Sequence, residues 1–331
     1  MLDAYGEEAS PLSRLVELPG RGVTRVWECA GPPGAETVML IHGVAFTAEL
    51  NWGRVFAPLA RHFRVVALDL RGHGDGIRSR SAFCLEDCAD DVAALAAVLG
   101  IARFVAVGYS MGGLVAQLLH RRHPSLLSGL VLCSTASNGL GSSIEKLASA
   151  ALQPVATVLQ PVATAMRWNP FLRMISVEIP AMTLLGAVDD PATARWARAQ
   201  LRRTKLDASL AAARSVWRFT SDSWIGLVDV PTAVVVTTRD RVVSPGRQLR
   251  LARTIPGASV HEVHADHGAA VTHPQLFTPA LLEACWSVGP ARAVPSPRPA
   301  RAGRPPNRRE GTTHPQPSRP GWRDARRSIT A

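Results

Sequence analysis

The chain has 331 residues, 47% of them apolar, which supplies a core for one large α/β domain with an insertion or for two smaller domains. Its net charge is +11, but ten arginines against two acidic residues place +8 of that beyond Gly289, so the body is near neutral and its charge does not argue for an acidic partner. Five scattered cysteines exclude a disulfide framework and fit a reducing compartment, and the acidic opening Met1-Leu2-Asp3-Ala4-Tyr5-Gly6-Glu7-Glu8 lacks the apolar run of a secretory signal, so a cytoplasmic location is expected.

Taken in order, residues 12–18 and 23–29 alternate apolar and polar around Pro19-Gly20-Arg21-Gly22 and predict an antiparallel hairpin at a sheet edge. Gly31-Pro32-Pro33-Gly34 is a turn. Thr37-Val38-Met39-Leu40-Ile41 is a continuous apolar run, the pattern of a strand covered by helices on both faces. It ends in His42-Gly43-Val44, and a helix is expected at about 52–61. The next buried strand is Arg64-Val65-Val66-Ala67-Leu68, ending in Asp69-Leu70-Arg71-Gly72-His73-Gly74. Cys88, Val92, Leu95, Ala96 and Leu99 mark a helix by their spacing. Phe104–Val107 and Gly129–Cys133 are further buried strands, with a helix between them. The rhythm of strand then helix predicts a doubly covered, mostly parallel sheet of eight strands.

Around Ser137-Asn138-Gly139 the rhythm changes. Residues 140–226 hold no convincing strand, but Asp190 before Pro191 and Asp207 further on open helices. A helical lid inserted before the last two strands is expected. Leu147–Met166 carries no charge over 20 residues and includes the near-repeat Leu152-Gln153-Pro154-Val155-Ala156-Thr157 and Leu159-Gln160-Pro161-Val162-Ala163-Thr164. Its prolines and glutamines argue against a membrane span and for an apolar, kinked cover over a greasy pocket; a plain packing helix is the alternative. Strands return at Thr232–Val236 and Ser259–Val263, with Ser244-Pro245 capping a helix between them and a last helix over 274–287. From Pro290 the chain is Pro, Arg, Gly and Ser, which cannot bury enough surface to order itself. The expected division is therefore 1–137 and 229–289 as the two parts of one core, 138–228 as the lid, and 290–331 as a disordered tail. Contact of that tail with nucleic acid or a membrane surface is the lesser reading, since only Lys146 and Lys205 are lysines and the arginine excess follows from coding bias.

The chemistry centres on Gly108-Tyr109-Ser110-Met111-Gly112. It joins an apolar strand to a helix marked by Met111, Leu114, Val115, Leu118 and Leu119, so Ser110 sits on a sharp turn that tolerates no side chain on the flanking glycines. A serine hydroxyl needs a base, and the base a partner that fixes its tautomer. Both should follow strand ends of the same sheet. Asp240 follows the strand ending at Val236 and His267 the one ending at Val263, in the order Ser, Asp, His that this arrangement requires. His264 is the competing base. Asp222 and Asp229 precede the strand, and Asp90, Asp91, Asp189 and Asp190 read as solvating or capping helices. An oxyanion would be held by the backbone N–H groups of Met111 and Val44. His42 and His73 read as structural, holding loops near the site.

Together, His42-Gly43, Asp69-Leu70-Arg71-Gly72-His73-Gly74, Gly108-Tyr109-Ser110-Met111-Gly112-Gly113, Arg239-Asp240 and Asp266-His267-Gly268 resemble the α/β-hydrolase fold superfamily, in its branch of single-domain serine esterases and cofactor-free haloperoxidases. The likeness covers about residues 12–288. It implies Ser110 as nucleophile, His267 as base then acid, Asp240 as the orienting acid, and no cofactor or metal. Serine at the elbow argues against the dehalogenase and epoxide hydrolase branches, which need Asp there. The expected activity is cleavage of a small-molecule ester with an apolar acyl chain. Acyl transfer or perhydrolysis on the same residues, and ligand binding without turnover, are the alternatives.

Overall fold

The computed structural model describes residues 11–79, 81–139 and 190–289. The uncharged stretch 147–166, with its near-repeat, and the tail from 290 lie outside the described residues. One eight-stranded sheet organises the rest: β1 (Leu12–Leu18), β2 (Gly22–Cys29), β3 (Thr37–Ile41), β4 (Arg64–Leu68), β5 (Phe104–Tyr109), β6 (Leu127–Cys133), β7 (Thr232–Thr237) and β8 (Ser259–Val263). Their spatial order is β1-β2-β4-β3-β5-β6-β7-β8. β1 and β2 pair antiparallel, β2 meets β4 antiparallel, and every other pairing is parallel. The five residues of β3 and the six of β5 are all buried, as expected of strands covered on both sides.

Helices fill both faces. On one, α3 (Leu85–Val98), α4 (Met111–Arg122) and α7 (Pro245–Thr254) bury residues such as Leu95, Val115 and Leu251 against Met39, Ala106 and Val234. On the other, α1 (Ala48–Trp52), α2 (Phe56–Ala60), α8 (Ala269–Thr272) and α9 (Pro274–Val288) pack Trp52, Phe56, Ala270 and Phe277 against Leu40, Val107 and Val235. The single helix expected at about 52–61 is two short ones. Thr47 starts the first, its hydroxyl accepting the Leu50 N–H at 3.0 Å, and Gly53 closes it. Ser244 starts α7 with its carbonyl, which accepts the Arg247 N–H at 2.9 Å, rather than with its hydroxyl.

Between β6 and β7 stand α5 (Pro191–Leu201) and α6 (Leu206–Arg218). Asp190 caps α5 as its sequence predicts, its carboxylate accepting the Thr193 N–H at 2.8 Å. Asp207 lies inside the first turn of α6, one residue past its start. The two ends of the segment are zipped to each other: Gly139 N–H donates to Phe219 O at 3.0 Å and Ser221 N–H to Ser137 O at 2.7 Å. Ala197 and Leu201 of α5 pack with Phe46, Leu50 and Val271, so α5 sits on α1, α8 and the loop that leaves β3. Among the described residues no helix is long and apolar enough to cross a membrane.

Candidate active site

Ser110 lies between β5 and α4 with φ 53° and ψ −116°, a conformation an L side chain rarely adopts. The surroundings enforce it. Ser110 N–H donates to Cys133 O at 2.9 Å, and Ser110 O accepts from the Gly113 N–H and the Thr135 hydroxyl, both at 2.9 Å. The flanking glycines are needed for space. A Cβ on Gly108 would lie 2.3 Å from Gly112 O, and one on Gly112 would lie 2.1 Å from Ile41 O. The turn thus brings β3, β5 and α4 closer than any side chain permits.

The loops after β7 and β8 bring Asp240 and His267 to this turn. His267 Nε2 lies 3.0 Å from Ser110 Oγ, and His267 Nδ1 lies 2.7 Å from Asp240 Oδ2. A carboxylate can only accept, so Nδ1 carries the ring proton and Nε2 is left to accept from the hydroxyl. The two side chains are buried, at 6% and 0% exposure. Asp240 also receives two backbone N–H groups on Oδ1, from Val242 and Val243, both at 2.8 Å. Behind the ring, the Tyr109 hydroxyl donates to His267 O and the Tyr109 and His267 rings meet edge to face at 6.0 Å. Burial raises the Tyr109 phenol well above its ordinary pKa, so it stays a neutral donor.

The two residues expected to hold an oxyanion are Val44, in the loop after β3, and Met111, directly after Ser110. Met111 opens α4, so its N–H has no partner within the helix. Val44 is aimed by its neighbour. His42 Nε2 accepts the Leu70 N–H at 2.9 Å, which leaves Nδ1–H to donate to Gly43 O at 2.8 Å. The Gly43 carbonyl and the Val44 N–H belong to one trans peptide, so fixing the first fixes the second in the opposite direction. Full burial, and then the neighbouring His73, lower the His42 pKa to about 3 and keep it neutral. Asn51 adds a third anchor, its Oδ1 accepting the Gly43 N–H at 2.9 Å. Gly43 itself abuts the nucleophile, since a Cβ there would meet Ser110 Cβ at 3.4 Å.

The competing residues are engaged elsewhere. His264 is exposed and its Nδ1 pairs with the Thr238 hydroxyl at 2.8 Å. Asp229 pairs with His120 at 2.9 Å, and Asp222 accepts from Asn138 at 3.0 Å. Asp90 binds Arg122 and His123, each at 2.8 Å. Asp189 lies outside the described residues. Asp91 differs from expectation: it is not a solvated helix residue but is 1% exposed, gripped by Arg71 through two bonds of 2.7 and 2.8 Å. Three contributors were not singled out from sequence: Asn51, Thr237 and Gln248. The last two touch Asp240, and only their place in the fold reveals it. Among the described residues no three His, Cys, Asp or Glu side chains converge to hold a metal ion.

The sequence profile of the alpha/beta hydrolase fold matches residues 36–274. An uncharacterized protein of Mycobacterium tuberculosis is 36% identical over 113 residues, which cover 34% of this chain and 32% of that protein. The chain thus spans about a third of the length of the first curated relatives it matches. A non-heme chloroperoxidase of Streptomyces lividans is 26% identical over 263 residues, 76% of this chain and 92% of that one. Among solved structures, an esterase from Rhodococcus superimposes with a TM-score of 0.66 at 24% identity, over 85% of this chain and 100% of that one, a likeness of fold. With the profile spanning both the Ser110 turn and the loops that carry Asp240 and His267, the chain belongs to the alpha/beta hydrolase fold family.

Proposed function

We propose that the chain is a serine hydrolase of carboxylic esters. The observation that carries this is the unbroken hydrogen-bonded line Asp240–His267–Ser110, at 2.7 and 3.0 Å, at the carboxyl ends of β7, β8 and β5. Ser110 Oγ attacks the ester carbonyl carbon while His267 Nε2 takes its proton. The negative oxygen of the tetrahedral intermediate is held by the Val44 and Met111 N–H groups. Collapse breaks the bond to the alcohol, which leaves with the proton from His267. A water then gives a proton to His267 and attacks the acyl-enzyme; the acid departs and Ser110 regains its proton. Asp240 stays ionised throughout and steadies the imidazolium.

An apolar acyl group is the substrate reading. It rests on the apolar insertion sequence and on the packing of α5 against Phe46, Leu50 and Val271, which supports a lid role for the 138–228 segment. Two experiments test the proposal. A fluorophosphonate probe should label the protein and fail to label Ser110→Ala, and esterase activity should rise from acetyl to octanoyl p-nitrophenyl esters. Absence of labelling favours ligand binding without turnover. Preference for the acetyl ester removes the apolar-pocket part alone. A second reading, perhydrolase or haloperoxidase chemistry on the same residues, draws on the likeness to the Streptomyces chloroperoxidase, with acyl transfer the further alternative. Partition of the acyl-enzyme between water and added peroxide or alcohol separates the two.

A further inference from the structure

We propose that Gln248, on α7, is a positioning residue for this chemistry: its amide holds the Asp240 carboxylate in the orientation that keeps His267 aimed at Ser110. The inference rests on the serine-hydrolase reading above. Asp240 Oδ2, the oxygen that meets the imidazole, has two other donors: the Thr237 hydroxyl at 2.8 Å and Gln248 Nε2 at 3.1 Å. The hydroxyl can rotate, and it is shared with Ser134 at 3.1 Å. The amide cannot. Gln248 Oε1 accepts the Thr237 N–H at 3.0 Å, and Nε2 also donates to Val243 O at 2.7 Å and lies 3.0 Å from the Thr237 hydroxyl that itself donates to Asp240, so the amide holds the carboxylate both directly and through that hydroxyl. Turning the amide over would set its oxygen against a carbonyl and a carboxylate, so the arrangement has one sense. The side chain is fully buried, where an unmade bond is costly.

Its position explains its use. Thr237 is the last residue of β7, and Val242 and Val243 supply the two N–H groups on Asp240 Oδ1. Gln248 spans both and then reaches the acid itself. A residue needed only to weld the strand to its loop would use the Thr237 and Val243 contacts alone. The contact to Asp240 Oδ2, the atom that steers the imidazole, is the one a purely structural role does not require.

The test compares Gln248→Met, similar in size but without donors, and Gln248→Glu. For Gln248→Met, kcat on a p-nitrophenyl ester should fall on the order of tenfold with KM held within about twofold, the size of one lost hydrogen bond to a charged group. Gln248→Glu should show a new pH dependence. Protonated, the introduced carboxyl can donate to Asp240 as the amide does; ionised, it repels it. Activity should therefore approach wild type at the acid end of the range and drop at least tenfold further than wild type as pH rises. The titratable groups around the amide are Asp240 in contact, His267 beyond it and the Tyr109 phenol across Ser134, all present in wild type, whose profile is the baseline. Either variant folded, with wild-type kcat and pH profile, overturns the proposal. A measurement on the wild-type protein decides the matter if neither variant folds: the Gln248 side-chain NH2 resonances should shift when a fluorophosphonate occupies Ser110. Labelling without such a shift overturns the Gln248 role. Failure to label at all overturns the hydrolase reading instead.

Discussion

Gly112→Ala tests how the strand–helix contact sets the reacting atoms. The new Cβ would sit 2.1 Å from Ile41 O, 2.6 Å from Ile41 C and 2.7 Å from His42 O. All three are backbone atoms, so no side chain can swing aside. Reaching an ordinary contact requires α4 and the end of β3 to part by roughly 1 Å, and overpacking of this kind costs about 3 kcal/mol. The geometric penalty is larger than the stability loss suggests. Ile41 leads directly into His42, Gly43 and Val44, so the displacement moves the Val44 N–H relative to the Met111 N–H, the two proposed oxyanion donors, and a shift near 1 Å at the reacting centre costs about 100-fold in rate. Urea unfolding should give a lower midpoint with an unchanged slope, and kcat/KM on a p-nitrophenyl ester should fall about 100-fold while the protein remains folded. Gly246→Ala is the control: nothing lies within 4 Å of its Cβ position, and it should be neutral or stabilising by up to about 1 kcal/mol. A folded Gly112→Ala variant with kcat/KM within about threefold of wild type would show that this contact does not place the donors.

Other expectations follow from the same geometry. Arg71→Met leaves Asp91 buried with Arg21 as its remaining partner and should cost about 3 kcal/mol by denaturant titration; adding Asp91→Leu should recover part of it. Asn51→Leu frees the Gly43 N–H beside Ser110 and should lower kcat about tenfold in steady-state assays with little change in KM. Burial lowers the pKa of His42 to about 3 and of His73 to about 4, so between those values and 6.5 the unfolded chain binds protons that the folded one refuses, and stability falls as pH falls. Asp69 works against this, because burial raises its pKa to about 6 and its folded form takes up a proton in the same window. The net expectation is a loss of about 3 kcal/mol from pH 6.5 to pH 4.5, read by urea titration at each pH; a gain in stability over that range would refute the neutral burial of the two histidines.

The sheet was legible because its strands are continuous apolar runs, and burial on both faces leaves a run such as Thr37–Ile41 no other place. The elbow was legible because glycine two residues before and two after a serine, between strand and helix, answers a steric demand that the contacts of Gly108 and Gly112 now quantify. Asp240 and His267 could be picked because chemistry and topology both restrict them to strand ends. What escaped had no local signal. Arg71 reaches Asp91 across 20 residues and Asn51 reaches Gly43 from a helix whose start depends on the Thr47 cap. Gln248 looks like any polar residue on an amphipathic helix until α7 is laid beside Asp240. The break between α1 and α2 at Gly53 was likewise invisible to apolar spacing alone.

The zipped base of the segment between β6 and β7 has a consequence for how such a protein diversifies. Because Gly139–Phe219 and Ser137–Ser221 close that base beside the sheet, the ring-closure penalty is already met there, and doubling the intervening length adds only about 0.6 kcal/mol. Segments of other lengths and compositions can therefore be grafted onto the same stem while Ser110, Asp240 and His267, held on the sheet's own loops, keep their places.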